Sequence, residues 1–184
     1  MCASININKN TTFQVPINIG RLSSSPIGPL WVACSPLGLI SVEWEMPQAD
    51  YIQLVGLRKP ATVIYDETRT AEPIRQLREY LAGVRQQFDL DLDLTALPPF
   101  HAQALRLTME IPYGRTSTYK EIAMQLGRPN AARAVGRAEA TNPIPLIIPC
   151  HRVLGTDGAL HGYGGPGGIK LKRWLLDLEM QHLK

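Results

Sequence analysis

Cys150 stands between Pro149 and His151, at the end of the apolar run Ile144 to Ile148 and ahead of a glycine-punctuated segment. A thiolate is the strongest nucleophile among ordinary side chains, and an adjacent imidazole can act as the base that generates it. The prolines fix the direction of the approaching chain. A cysteine beside a histidine can also be a buried strand-end cysteine next to a solvated histidine. The surrounding elements must decide.

The chain has 184 residues, of which 45% are hydrophobic and 19% charged. That suits one large globular domain or two small ones with a real core, and it excludes a disordered chain. The cysteines, Cys2, Cys34 and Cys150, are odd in number and widely spaced, which points to a reducing compartment rather than a disulfide framework. His101, His151, His161 and His182 form no metal-ligand spacing, and nothing argues for zinc. The N-terminus lacks an apolar signal region, and no stretch is apolar enough to span a bilayer, so a soluble intracellular protein without a membrane partner is expected. The net charge of +3 is uneven: residues 1–100 carry 8 Lys/Arg against 10 Asp/Glu, and residues 101–184 carry 11 against 6. The basic half is the one suited to a polyanion.

Residues 1–25 are polar and loosely ordered at their start. Gly28–Ser35 and Gly38–Glu45 flank a Ser-Pro-Leu-Gly turn and predict a hairpin. A helix should begin at Thr70 as N-cap, with Pro73 in its first turn and an apolar stripe of Ile74, Leu77, Leu81, Val84 and Phe88. Asp89 to Leu94 alternates strictly and predicts a half-buried strand. This N-terminal part shows no catalytic constellation. Leu97-Pro98-Pro99 marks a linker, followed by a helix to about Glu110.

Two short helices come next. Thr118 and Glu121 form a capping box for Tyr119–Leu126, Gly127 stops that helix, and Asn130 should cap Ala131–Ala140. The pair reads as a helix-turn-helix or as a helical hairpin that merely fills a core. Its second helix, Ala-Ala-Arg-Ala-Val-Gly-Arg-Ala, is made of small residues with Arg133 near its N-terminal end. Such a helix can pack closely on a neighbour or press into a nucleic-acid groove. Leu154–Gly168 is a glycine-rich loop without a P-loop ending. The last helix starts near Ile169, with Leu171, Trp174, Leu175 and Leu178 facing inward.

Ile-Pro-Tyr-Gly (111–114), Thr-Tyr-Lys-Glu-Ile-Ala (118–123), Ala-Ala-Arg-Ala-Val-Gly (131–136), Asn-Pro-Ile-Pro (142–145), Ile-Pro-Cys-His-Arg-Val (148–153), Gly-Tyr-Gly-Gly (162–165) and Lys-Arg-Trp-Leu-Leu (172–176) occur in this order. The series resembles the O6-alkylguanine-DNA alkyltransferases, densely over 98–184 and more loosely through Ser25–Leu30 and Gln76–Gly83. The resemblance implies an α+β fold. A small ribonuclease H-like sheet-and-helix domain over 1–97 has a structural role. A mostly helical, winged-helix-like catalytic domain with a helix-turn-helix spans 98–184.

The resemblance also implies a reaction: single-turnover, irreversible transfer of a methyl or other alkyl group from guanine O6, and thymine O4, to Cys150 after nucleotide flipping. His151 would be the base, acting through a water, and Glu179 would orient it. Tyr119 would donate to the guanine ring nitrogen, and Asn142 would brace the turn before the active site. Arg133 would enter the base stack, with Ala131, Ala132, Ala134 and Gly136 on the same DNA-binding helix. Pro145 and Tyr163 would wall the pocket. Gly164 would present its N–H to the guanine oxygen, and the carbonyls of Cys150 and Val153 would take the exocyclic amine. The segment between Tyr163 and Lys172 is slightly longer than the family pattern, so Glu179 is placed by counting from Trp174.

No cofactor or metal is implied. The partner is double-stranded DNA containing alkylated guanine, and a cytoplasmic monomer is expected, nuclear in a eukaryote. The rival readings are a non-catalytic alkyltransferase-like damage sensor, against which Cys150 argues, and a thiol hydrolase, which leaves the Ala-Arg helix unexplained.

Overall fold

The computed structural model describes residues 15–183; Cys2 and most of the start for which loose order is expected lie outside the described residues. Strand β1 already occupies Ile17–Leu22. It pairs antiparallel with β2 (Leu30–Ser35), which pairs antiparallel with β3 (Gly38–Trp44) in the expected hairpin. Helix α1 (Gln48–Arg58) leads to β4 (Val63–Tyr65), which adds to β1 in parallel and gives the order β3-β2-β1-β4.

The period of two along a strand sends alternate side chains to opposite faces. Trp31 and Ala33 of β2 meet Tyr51 and Val55 of α1. Leu30 and Val32 join Ile74, Leu77 and Leu81 of α2 (Glu67–Leu81) on the other face. This second face is the main core, and it does not stop at the N-terminal half. Leu105, Tyr113, Ile144, Leu146, Ile148, Leu171 and Leu175 belong to it. Each such buried side chain contributes about 1.5–3 kcal/mol.

Three N-terminal expectations need correction. Helix α2 starts earlier than Thr70. Asp66 is the N-cap and accepts from the amides of Thr68 and Arg69, while the Thr70 hydroxyl turns back to the Asp66 carbonyl at 2.9 Å. Pro73 therefore lies inside the helix, not in its first turn. The helix ends at Leu81 with Gly83 in a left-handed conformation, so Val84 is exposed instead of extending the stripe. Asp89–Leu94 is extended but touches the sheet at one residue, where Leu92 bridges Leu39. Beyond that point Asp93 turns inward. Its carboxylate accepts from Ser35 at 2.5 Å and from Lys59 and Thr95, and those side-chain bonds replace a continuing ladder.

In the second half, α3 (Pro99–Met109), α4 (Tyr119–Gln125) and α5 (Ala132–Ala140) enclose a smaller core of Ala104, Ile122, Ala123, Val135, Ala138 and Val153. The Thr118–Glu121 capping box forms as expected. Asn130 does not cap α5. The residue before that helix is Ala131, whose amide bonds the Arg128 carbonyl at 2.8 Å, so a tight turn leads in without a side-chain cap. A short parallel pair joins β5 (Ser117–Thr118) to β6 (Val153–Leu154), and α6 (Ile169–Gln181) closes the fold. Among the described residues, no helix is long and apolar enough to cross a membrane.

Strand β1 and α2 meet at Gly20, where a Cβ would fall 1.9 Å from Thr70 Oγ1. Gly20→Ala is expected to destabilise the protein by about 2 kcal/mol through overpacking. Adding Thr70→Ala should recover part of that loss. Urea unfolding midpoints measure both, and a double variant no more stable than Gly20→Ala would contradict this contact.

Candidate active site

The turn between α5 and Cys150 is held by one amide side chain. Asn142 donates to the Ile148 carbonyl at 2.9 Å and accepts from the Ile144 amide at 3.0 Å. Within the turn, Leu146 has φ of 74°, a conformation unfavourable for a residue with a Cβ. Its fully buried side chain in the main core offsets that strain. The turn delivers Cys150, His151 and Arg152 as a single 3-10 turn, and β6 then pairs with β5. That pairing sets Tyr119, the first residue of α4, at the mouth of the site.

Cys150 and His151 are both buried, and their side chains are not bonded to each other. The imidazole instead uses Nε2, 2.8 Å from Glu179 Oε1, while Nδ1 has no protein partner. A carboxylate can only accept, so Nε2 carries the proton and Nδ1 presents its lone pair. Glu179 also accepts from Tyr80 at 2.7 Å, from Arg152 Nη2 at 2.8 Å and from the Gly114 amide at 2.9 Å. Gly114 has φ of 67°, which lets the Ile-Pro-Tyr-Gly turn aim that amide inward.

Burial opposes charge on Glu179, but the bonds from His151 and Arg152 outweigh it and hold the carboxyl at about 2. Burial lowers the His151 pKa against the pull of Glu179, so the resting imidazole is neutral. The Cys150 thiol is pushed up to about 12, chiefly by burial and next by Glu139, while Asn142 and Lys172 pull the other way. The resting residue is a thiol poised beside a base, not a standing thiolate.

A cavity of about 790 Å³ opens onto Cys150, lined by Tyr119, Arg133, Gly136, Glu139, Tyr163 and Gly164 among others. Ala132 lines it too; Ala131 is half-buried against the smaller core and Ala134 is exposed. A second cavity of about 330 Å³ shares Cys150, Tyr163 and Gly164 and adds Asn142 and Pro145. The structure thus brings Pro145 to the far side of the thiol. Val153 is buried, and its carbonyl already accepts from Lys172 Nζ at 2.7 Å.

Four participants escaped sequence reasoning. Tyr80 comes from the half that showed no catalytic constellation. Its place beside Leu77 and Leu81 on the buried face of α2 was the available signal. Arg152 was read only as part of a motif. Lys172 too was read only as part of a motif, yet it is buried, bonded to two carbonyls and 5.9 Å from the Tyr119 ring. Glu139 is buried on α5 and lines both cavities.

Comparison with known proteins covers both halves. Residues 20–94 match the 6-O-methylguanine DNA methyltransferase ribonuclease-like domain, and residues 99–181 match the DNA binding domain of that family. A protein of Shigella flexneri named methylated-DNA–protein-cysteine methyltransferase is 40% identical over 83% of this chain and 90% of its own. A protein of the same name from Methanosarcina barkeri is 41% identical over 87% and 96%. The crystal structure of Mycobacterium tuberculosis OGT in complex with DNA superposes with a TM-score of 0.72 at 38% identity, covering 91% of this chain and 94% of that one.

Glu179→Gln would leave the buried Arg152 without its counter-charge, at a cost of about 3–5 kcal/mol. The depressed Glu179 pKa stabilises the fold above the ordinary carboxyl pKa, and that contribution is lost as pH falls toward about 2. Denaturation across pH 2–7 should show a steeper loss in the natural chain than in the variant. Equal acid profiles would remove Glu179 as the cause.

Proposed function

The chain belongs to the methylated-DNA–protein-cysteine methyltransferases, enzymes of direct DNA repair, and from that premise we propose that Cys150 is the acceptor of the alkyl group. The observation that carries this reading is the contact from Glu179 to His151, which leaves Nδ1 without a partner among the described residues, together with a cavity large enough for a base that opens onto Cys150. The lesion is O6-alkylguanine in double-stranded DNA. Thymine O4 presents the same alkyl–oxygen bond beside a ring nitrogen and is the second substrate.

The target nucleotide leaves the stack, Arg133 fills its place, and the base enters the cavity between Tyr119 and Tyr163. Residues 98–184 bind DNA and carry out transfer. Residues 1–97 support them, with Tyr80 steadying the Glu179 carboxylate. The free Cys34 and Cys150 suit a monomer working in a reducing compartment, the cytoplasm or a nucleus.

The step balances as follows. His151 Nδ1 takes the Cys150 proton through a water. The sulfur attacks the alkyl carbon in line as the carbon–oxygen bond breaks, and the electron pair goes to the guanine. Tyr119 protonates the guanine ring nitrogen and recovers its proton, by way of water, from the imidazolium. The thiolate need exist only in the assembled complex, as the departing base is protonated, which reconciles transfer with the thiol held at about 12 at rest. The thioether has no return route, so each chain reacts once and no cofactor regenerates it.

Cys150→Ala should abolish removal of methyl from an O6-methylguanine duplex while keeping DNA affinity. Arg133→Ala should slow the duplex reaction at least about tenfold more than reaction with free O6-benzylguanine, equal to about 1.4 kcal/mol of lost transition-state stabilisation. Equal losses on both substrates would count against the flipping role. Binding without transfer by the unaltered chain would favour a damage sensor.

A further inference from the structure

Glu139 lies in the last turn of α5, where the mechanism above has no use for it. Its Oε1 accepts from Thr108 at 2.6 Å, and its Oε2 has no partner although the side chain is buried. It lines both cavities that meet at Cys150. A buried carboxyl oxygen left unpaired is costly, and a protein retains one mainly where something else is to meet it.

The second cavity explains what that partner is. Its walls are apolar at Trp44 and Pro145, and Trp44 and Tyr163 lie with ring centroids 6.5 Å apart. Two polar atoms beside Cys150 lack partners, Glu139 Oε2 and the Tyr163 hydroxyl. Across the cavity Glu43 adds a second carboxylate. Arg58, the cation there, is engaged by Glu43 at 2.6 Å and by Ser41 at 2.8 Å. Lys172 is directed to the carbonyls of Val153 and His161. The space therefore has an apolar side at Trp44 and Pro145 and a polar side carrying a carboxyl group that no cation pairs among the described residues.

We propose that this second cavity receives the transferred alkyl group and that Glu139 sorts those groups by charge, admitting neutral or hydroxyl-bearing chains and rejecting anionic ones. The proposal rests on Cys150 as the acceptor. A hydroxyl on the alkyl chain can bond the free Oε2, whereas a carboxylate on that chain meets like charge at a carboxyl group that is itself buried. Thr108 on α3, Tyr119 on α4, Cys150, and Lys172 on α6 are the groups that face Glu139. Burial raises the Glu139 carboxyl to about 7, so the repulsion is full at pH 8 and relaxes at pH 6, where the acid is neutral.

The test uses duplexes carrying O6-methyl-, O6-(2-hydroxyethyl)- or O6-carboxymethylguanine, with single-turnover transfer followed by mass. The readout is the carboxymethyl-to-hydroxyethyl rate ratio, in which the ionisation of Cys150 cancels. Relative to the natural chain at pH 8, that ratio should rise about tenfold or more in Glu139→Gln, the size expected for one like-charge contact in a partly buried site. The natural chain taken from pH 8 to pH 6 should show the same rise, with no need for a variant to fold. A change below about threefold in either comparison, with methyl transfer intact, would overturn the sorting role. Loss of transfer from all three lesions in the natural chain would instead overturn the acceptor reading beneath it.

Discussion

One buried carboxylate organises this protein. Glu179 is fully buried and accepts from Tyr80 on α2, from His151 and Arg152 on the catalytic turn, and from the backbone of Gly114. Taking an ion out of water costs several kcal/mol, and only a near-complete set of donors offsets it. Any displacement of α6, α2 or the Ile-Pro-Tyr-Gly turn would leave that charge under-bonded. The same carboxylate that fixes the packing of these segments also fixes the proton on His151 Nε2. Stability and chemistry are thus linked through a single acceptor: the bond that holds the imidazole leaves its Nδ1 as the only nitrogen able to take a proton.

The thiol is controlled in the opposite manner. Burial and Glu139 disfavour the thiolate, and nothing in the resting site creates a strong cationic cradle for it. A nucleophile of the proposed single use would benefit from this restraint, because a permanently ionised cysteine reacts with any passing electrophile or oxidant. Reactivity then depends on assembling the complete site around a bound base. The backbone supports that assembly. Asn142 and the strained Leu146 fix the turn from α5 into Cys150, so that helix and the Cys150 sulfur are joined by a short, braced path.

Much of this was legible from residue types at fixed spacing. The hairpin, the capping box at Thr118 and the start of α6 near Ile169 all follow local rules that act within a few residues. Counting from Trp174 points to Glu179, which lies 2.8 Å from His151, and α6 begins afresh after Gly168, so extra loop residues cannot rephase it. The errors arose where tertiary bonds override local preference. Thr70 resembles a cap but presses against Gly20 inside a helix already capped by Asp66. Asn130 resembles a cap but precedes a turn that needs none. Asp89–Leu94 alternates like a strand, yet Asp93 is drawn inward by Ser35, Lys59 and Thr95. Tyr80, Lys172 and Glu139 are hard to read as site residues because their roles depend on partners 11 to 99 positions away, or on cavities.

The most direct measurement of the central claim is the intact and peptide mass of the protein after reaction with excess duplex containing O6-methylguanine. The account predicts one added methyl per chain, located on Cys150 and saturating there, with the guanine restored. A modification on Cys34, more than one turnover per chain, or an unchanged mass on a chain that still binds the lesion would contradict it.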